Sequence, residues 1–320
     1  NMLAFTICSN NYLPYAAVLS KSVKRVHPDW LFILCLVDHK GPDEWYENGR
    51  FDGLIEVEEL KIPDFTNMVA NYSLVELNTA VKPYFFSHLF ESFPHKVSLI
   101  YLDPDIQVFS PMSEVVDSFE KSSIILVPHF STPQFDQPGI ITPENRILQR
   151  GLYNLGFLGL KRSRETAELL DWWKVKLQDQ CLISPRKGLF VDQKWMDLAP
   201  LYFDNTVILK NLGYDVAYWN LYENSLQYKG ADLYANDHPL RFYHFSAFDK
   251  NSSDYVENLA NKFNPRMGVI IRELYSSYHA LLNQEKLIEY QTIPCVYSQT
   301  KPKHQGIFQC IKAVFRKWCS

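Results

Sequence analysis

Val97-Ser98-Leu99-Ile100-Tyr101-Leu102 runs straight into Asp103-Pro104-Asp105. The first six residues are nearly continuous in apolar character, as expected of a strand covered on both faces, which is the situation of a parallel sheet with helices above and below. Outward from it, short β-rich runs at 3–8, 31–37 and 54–57 alternate with a helical pattern at 12–26. That order predicts βαβ units and a mostly parallel sheet. A longer helix is expected over 74–90. It contains Lys82-Pro83, and because proline belongs in the first turn of a helix, Thr79 is a candidate for the true N-cap. Further strands are expected at 124–127 and 155–160, and a helix at 164–180 carrying Trp172-Trp173. The stretch 128–143, rich in Pro, Gln and Gly, reads as a loop over a site.

The bulk composition narrows the function. Hydrophobic residues make up 47% of the 320 and charged residues 21%, ample for a large α/β domain with an appendage. The net charge of −4 points away from nucleic acid as a partner. No Gly-x-Gly-x-x-Gly follows any strand, which disfavours a dehydrogenase. No apolar run reaches membrane-spanning length, and 3–8 reads as a strand rather than a signal peptide. Cys8, Cys35, Cys181, Cys295, Cys310 and Cys319 are scattered, two of them in strand-like runs, so reduced thiols and a cytoplasmic setting are expected. The organisation expected is an α/β catalytic domain over 2–250, a helical extension over 251–300 and a basic amphipathic tail over 301–320.

Asp103 and Asp105 carry the chemistry. In open α/β sheets ligands gather at the carboxyl ends of strands, and residues two apart in an extended loop point to the same side. Pro104 stiffens the backbone between them, so the pair can converge on one hard cation. Such a cation neutralises the charge that develops on a diphosphate leaving group. An Asp-x-Asp triplet alone also occurs as a solvated cap at a strand end.

The triplet has company. Tyr101-Leu102-Asp103-Pro104-Asp105-Ile106, then Tyr153-Asn154-Leu155-Gly156-Phe157, Phe190-Val191-Asp192-Gln193 and Phe242-Tyr243-His244-Phe245-Ser246 follow in order. Together they resemble the motifs of glycosyltransferase family 8, the glycogenin-like and bacterial lipopolysaccharide-galactosyltransferase-like enzymes. The resemblance spans about residues 3–250 and implies a GT-A fold, a Rossmann-like nucleotide-diphospho-sugar transferase with a mixed, mostly parallel sheet flanked by helices and a C-terminal helical extension. It implies a divalent metal on Asp103, Asp105 and His244, with Mn2+ favoured and Mg2+ the alternative. It further implies transfer with retention from a nucleotide-sugar donor, a UDP-sugar favoured, to a saccharide or glycolipid acceptor in surface polysaccharide or lipopolysaccharide synthesis.

By the same resemblance Asp192 and Gln193 serve the donor sugar, with Gln193 near the anomeric carbon, and Asn154 and Gly156 line its site. Thr6, Cys8, Asn11 and Tyr12 correspond to the nucleotide-binding start, with Asp38 an acceptor for base or ribose and Lys82 a basic residue near the donor. Plainer readings stand beside these. Asp192 can cap a helix, Asn154 can satisfy backbone groups, His244 can be a core histidine, Ser9 or Asn10 can cap the first helix, and Lys82 can be a solvated charge. The pattern departs from the family at Ala247, where the family often has Gly, and Lys250 is the substitute for a downstream phosphate-binding Lys.

Two other functions compete. A haloacid-dehalogenase-type phosphatase also places Asp-x-Asp after a strand, but wants Thr where this chain has Gln107. A non-catalytic glycan-binding module on the same fold has no need of a metal site. The region 254–290 reads as helical. Beyond it, Ile307, Phe308, Ile311, Val314, Phe315 and Trp318 form an apolar stripe amid Lys312, Arg316 and Lys317. A basic helix with Phe and Trp on its apolar side suits peripheral contact with the inner face of a membrane, or docking on the domain.

Overall fold

The computed structural model describes residues 2–47, 49–135, 143–249 and 252–298. Lys250, the tail 301–320 and residues 136–142 of the expected loop lie outside the described residues. The chain opens with β1 (Met2–Cys8), a 3-10 turn at Asn10–Tyr12, α1 (Leu13–Val26), β2 (Leu31–Leu36) and β3 (Gly53–Glu56). Three helices follow, α2 (Phe65–Asn71), α3 (Leu74–Ala80) and α4 (Lys82–Ser92), before β4 (Ser98–Leu102) and β5 (Ile106–Val108). Next come α5 (Ser113–Ser118), β6 (Ile124–Leu126), α6 (Pro143–Arg150), β7 (Phe157–Lys161) and α7 (Arg164–Leu177). A short hairpin, β8 (Ile183–Ser184) and β9 (Leu189–Phe190), leads into α8 (Gln193–Met196), α9 (Ala199–Tyr202) and β10 (Thr206–Ile208). A small antiparallel sheet of β11 (Leu226–Lys229), β12 (Asp232–Ala235) and β13 (His238–Pro239) precedes β14 (Phe242–His244). The described chain ends in α10 (Ser252–Phe263), α11 (Pro265–Gln284) and α12 (Leu287–Tyr290).

Among the described residues the main sheet has seven strands in the order β10-β6-β7-β4-β1-β2-β3. β1 pairs in parallel with β2 and β4, β2 with β3, and β6 with β10, while β7 runs antiparallel to both β4 and β6. The sheet is thus mixed and mostly parallel, with helices on both faces, as the alternating pattern predicts. Strand alternation sorts the core. Phe5, Ile33 and Tyr101 pack on one side with Phe85, Phe86 and Trp173; Ala4, Phe32 and Ile100 pack on the other with Leu19 and Val23. The reversed direction of β7 places its own lead-in segment. Because β7 pairs Phe157 with Leu102, the residues just before it arrive at the carboxyl end of β4.

The region 74–90 is two helices, not one. Ser73 rather than Thr79 is the cap, its Oγ accepting from Glu76 N while the Glu76 carboxylate accepts from Ser73 N, 2.8 Å. Such a reciprocal box satisfies two otherwise orphaned donors. Thr79 Oγ1 bonds back to Val75 O and Glu76 O within the first helix, and the chain breaks at Val81 so that Pro83 falls in the first turn of α4. Neither Ser9 nor Asn10 caps α1. Ser9 Oγ donates to Val37 O at 2.9 Å and Asn10 Nδ2 to His39 O at 2.8 Å, tying the end of β1 to the end of β2.

α11 lays Leu274 and Tyr278 against Tyr15 and Val18 of α1. Just past its end, the buried Glu285 pairs with Arg50 at 3.0 Å and with Lys21. No described helix is long and apolar enough to cross a membrane. Cys8, Cys35, Cys181 and Cys295 are buried free thiols.

Candidate metal centre

The turn after β4 is closed by Ile106 N donating to Asp103 O at 3.1 Å, with Pro104 at the position that favours its fixed φ. β5 then pairs antiparallel with β14, Ile106 opposite His244, and Phe245 N donates to Asp105 O at 2.9 Å. This register delivers the imidazole to the two carboxylates. One ligand atom from each of Asp103, Asp105 and His244 lies within 4.8 Å of the others. His244 Nε2 is 3.1 Å from Asp105 Oδ1 and 3.7 Å from Asp103 Oδ2. Ligands about 2.1 Å from a six-coordinate cation sit about 3 Å apart, so the spacing and the two-carboxylate, one-imidazole set fit a divalent ion. Gly156 leaves the room. A Cβ there would lie 2.6 Å from His244 Cε1 and 3.0 Å from Asp103 Oδ2.

The charges are arranged around burial. Asp103 is raised above the usual carboxylate range by burial, against the opposing pull of Lys82 and His244. Tyr101, two residues earlier in the strand, reaches Asp103 Oδ1 through its hydroxyl at 2.5 Å. Burial alone would lower His244, but Asp105 and Asp215 outweigh it and hold the imidazole well above its ordinary range.

Lys82 is no solvated charge: it is 1% exposed, 2.5 Å from Asp192, and donates to Leu155 O at 2.8 Å. Its ammonium also lies 4.1 Å from the centre of the Tyr101 ring. Asp192, buried beside it, is raised by burial with Lys82 opposing. Although it stands at the start of α8, Asp192 makes no side-chain cap bond, so the capping reading fails. Val191 before it has φ 43, a left-handed backbone that a β-branched residue adopts only under strain. Gln193 Nε2 donates to Arg150 O at 3.0 Å, which fixes its amide plane. Asn154 does satisfy backbone, its Oδ1 accepting from Gly156 N at 2.7 Å, next to the candidate cluster. Ala247, where the family pattern has Gly, sits at φ 56, so this chain keeps the left-handed turn without the residue that adopts it freely.

At the end of β1, Thr6 is wholly buried and Cys8 is buried, its thiol pushed up by burial. Tyr12 stacks on Tyr15 with ring centres 4.9 Å apart, and burial together with the nearby Asp105 charge pushes its phenol up. Asp38 accepts from Asn10 N, His39 N and Val296 N at 3.2, 3.1 and 3.0 Å. Asn11 Oδ1 likewise accepts from Cys295 Sγ at 3.2 Å. Residues 295 and 296 therefore cover the ends of β1 and β2.

Two participants were not singled out from the sequence. Tyr101 was legible, since residues 101 and 103 share a side of an extended chain. Asp215 was not, because the residue it serves, His244, lies 29 positions further along the chain. It is wholly buried, with Oδ1 3.2 Å from His244 Nδ1, and burial pushes its carboxyl up to about 6 against the opposing bond to His244.

No protein-family model matches the chain. It is similar to the uncharacterized protein YfnF of Bacillus subtilis (strain 168), 26% identical over 253 residues covering 76% of this chain and 80% of YfnF. Uncharacterized protein YfnD of the same organism is 24% identical over 225 residues, 68% of each chain. Among solved structures, similarity extends to the galactosyltransferase LgtC in complex with donor and acceptor sugar analogs, at 16% identity and TM-score 0.45 over 82% of this chain and 96% of that one. Mouse xyloside xylosyltransferase 1, apo form, gives 13% identity and TM-score 0.46 over 76% and 96%.

The Lys82–Asp192 pair yields a stability prediction. Lys82→Met leaves a buried carboxylate without its counter-charge and should cost about 3–5 kcal/mol in urea unfolding. Adding Asp192→Leu to Lys82→Met should recover most of that loss; no recovery would mean that Lys82 acts through its contacts with Tyr101 and Leu155 instead.

Proposed function

We propose that the chain is a GT-A glycosyltransferase that moves a sugar from a nucleotide-sugar donor to a saccharide or lipid-linked saccharide acceptor. The observation that carries this reading is the convergence of Asp103, Asp105 and His244 at the carboxyl edge of the sheet, with Asn154 and Gly156 beside them. UDP is the favoured nucleotide and Mn2+ the favoured ion, with Mg2+ the alternative. When bound, the cation supplies Lewis-acid stabilisation of the charge on the departing diphosphate.

The protein's own groups do the rest. Asp103 and Asp105, on one turn, and His244, on the paired strand, would hold the cation. Lys82 and Asp192, locked together under Tyr101 and Leu155, form a rigid floor for the donor sugar and orient its hydroxyls. Gln193, its amide plane set by Arg150 O, sits on the face opposite the leaving group and stabilises positive charge at the anomeric carbon, consistent with a retaining reaction. Downstream of Ala247, Lys250 is the residue we assign to phosphate contact. Synthesis of surface polysaccharide or lipopolysaccharide, in the cytoplasm at the inner face of the membrane, is the setting that fits such an acceptor, with 301–320 as the membrane contact and 251–300 as an acceptor-facing helical extension.

Isothermal titration tests the site: UDP should bind only with Mn2+ present, and Asp105→Ala should weaken that binding by about a hundredfold or more. Mn2+-independent binding, or equal binding by the variant, would sink the reading. A second expectation comes from the raised imidazole. His244 must lose its proton to ligate, so Mn2+ affinity should rise as the pH is raised from 6.5, by about tenfold per unit while the imidazole remains protonated. Titrations in buffers of different ionisation enthalpy read the released proton directly. Finally, vesicles containing anionic lipid should co-sediment the full chain and not residues 1–300; equal partitioning removes the membrane role of the tail.

A further inference from the structure

Asp215 lies on the edge of the His244 ring opposite the two acidic ligands. Nδ1 is 3.2 Å from Asp215 Oδ1, while Nε2 faces Asp103 and Asp105. The segment carrying it is fixed to β14. Val216 N donates to Phe242 O at 3.3 Å and His244 N to Val216 O at 2.9 Å, so Asp215 is carried past the imidazole by main-chain bonds. Asn220 Nδ2 donates to Asp215 O at 2.9 Å and its Oδ1 accepts from Ala217 N at 2.9 Å, stapling the loop. Trp219 stands edge-on to the His244 ring at 5.2 Å and 82°, which leaves the imidazole little freedom to turn.

Two features of Asp215 are unfavourable for stability. Its backbone has φ 51, and its Oδ2 is buried with no hydrogen-bond partner among the described residues. A buried carboxylate oxygen without a partner costs free energy, and so does a left-handed non-glycine residue. A turn that served only the fold would be better made with Asn or Gly. What Asp supplies and they do not is a charged acceptor aimed at Nδ1. Such an acceptor holds the proton on Nδ1, directs the Nε2 lone pair outward and raises the basicity of the ring as a ligand.

We propose, resting on the metal reading above, that Asp215 is the positioning residue that makes His244 a metal ligand, fixing its tautomer and orientation from behind. It touches neither donor nor acceptor. It acts only through the imidazole, and this distinguishes it from a residue that merely stabilises the loop.

The test is Mn2+ binding to the full chain, read by electron paramagnetic resonance of the free ion, with circular dichroism confirming that each variant is folded. Asp215→Ala should weaken Mn2+ binding about 10–100-fold. Asp215→Asn, whose amide oxygen still accepts from Nδ1–H, should lose less. In a His244→Ala background, where Asp103 and Asp105 retain weak binding, Asp215→Ala should cause no further loss, because its route to the metal is gone. An affinity within twofold of wild type for Asp215→Ala, or the same loss with and without His244, overturns the proposal and leaves the metal reading intact. Failure of the wild-type protein to bind Mn2+ overturns both.

Discussion

Four carboxylates, Asp103, Asp105, Asp192 and Asp215, gather at one edge of the sheet, and the cost of burying their charge governs how that edge is built. Each needs a partner, because an isolated ion taken out of water loses far more solvation than any packing returns. Lys82 answers Asp192 and pulls on Asp103, while His244 stands between Asp105 on one side and Asp215 on the other. Two basic groups among four acids leave a surplus of negative charge at that edge. A divalent cation is the species that such a surplus suits. The same arrangement explains why Lys82 is buried at all: on α4, a helix that packs its Phe85 and Phe86 into the core, an ammonium is tolerable only with a carboxylate, a carbonyl and an aromatic face around it.

The rigidity of the edge comes from main-chain pairing more than from side chains. β4 and its turn are held by β7 through Asp103 N and Gly156 O, and β14 is held by β5 and by the segment at Val216. Those bonds place Asp103, Asp105 and His244 before any side chain is considered. Of the seven non-glycine residues with positive φ among the described residues, Val191, Asp215 and Ala247 adjoin or belong to groups of the candidate site. A fold keeps such residues where the surrounding hydrogen bonds over-determine them. Farther along, residues 295–297 finish the edge at β1 and β2. Val296 N bonds Asp38, Cys295 bonds Asn11, and Tyr297 OH donates to Glu58 at 3.1 Å.

How much could be read in advance depended on the range of each interaction. The strand before Asp103 was legible because continuous apolar character is a local property, and the alternation of runs led to the mostly parallel sheet. Asp103 and Asp105 were legible as a pair because the chain itself spaces them. The boundary inside 74–90 was misplaced because Thr79 resembles a cap, yet Ser73 and Glu76 make the reciprocal box that nucleates the first helix. The bond from Val296 N to Asp38 was not legible, because the two residues lie 258 positions apart in the chain.

The sequence by itself therefore determined the sheet, its edge and the two acids at that edge, since periodicity and neighbouring residues suffice for these. Only the tertiary structure decided that Lys82 is buried against Asp192, that Ile106 stands opposite His244, that Gly156 leaves room between His244 and Asp103, and that Asp215 backs the imidazole. Those contacts join residues far apart in the chain, and strand register and the pairing of buried charge, neither of them a local property, are what bring them together.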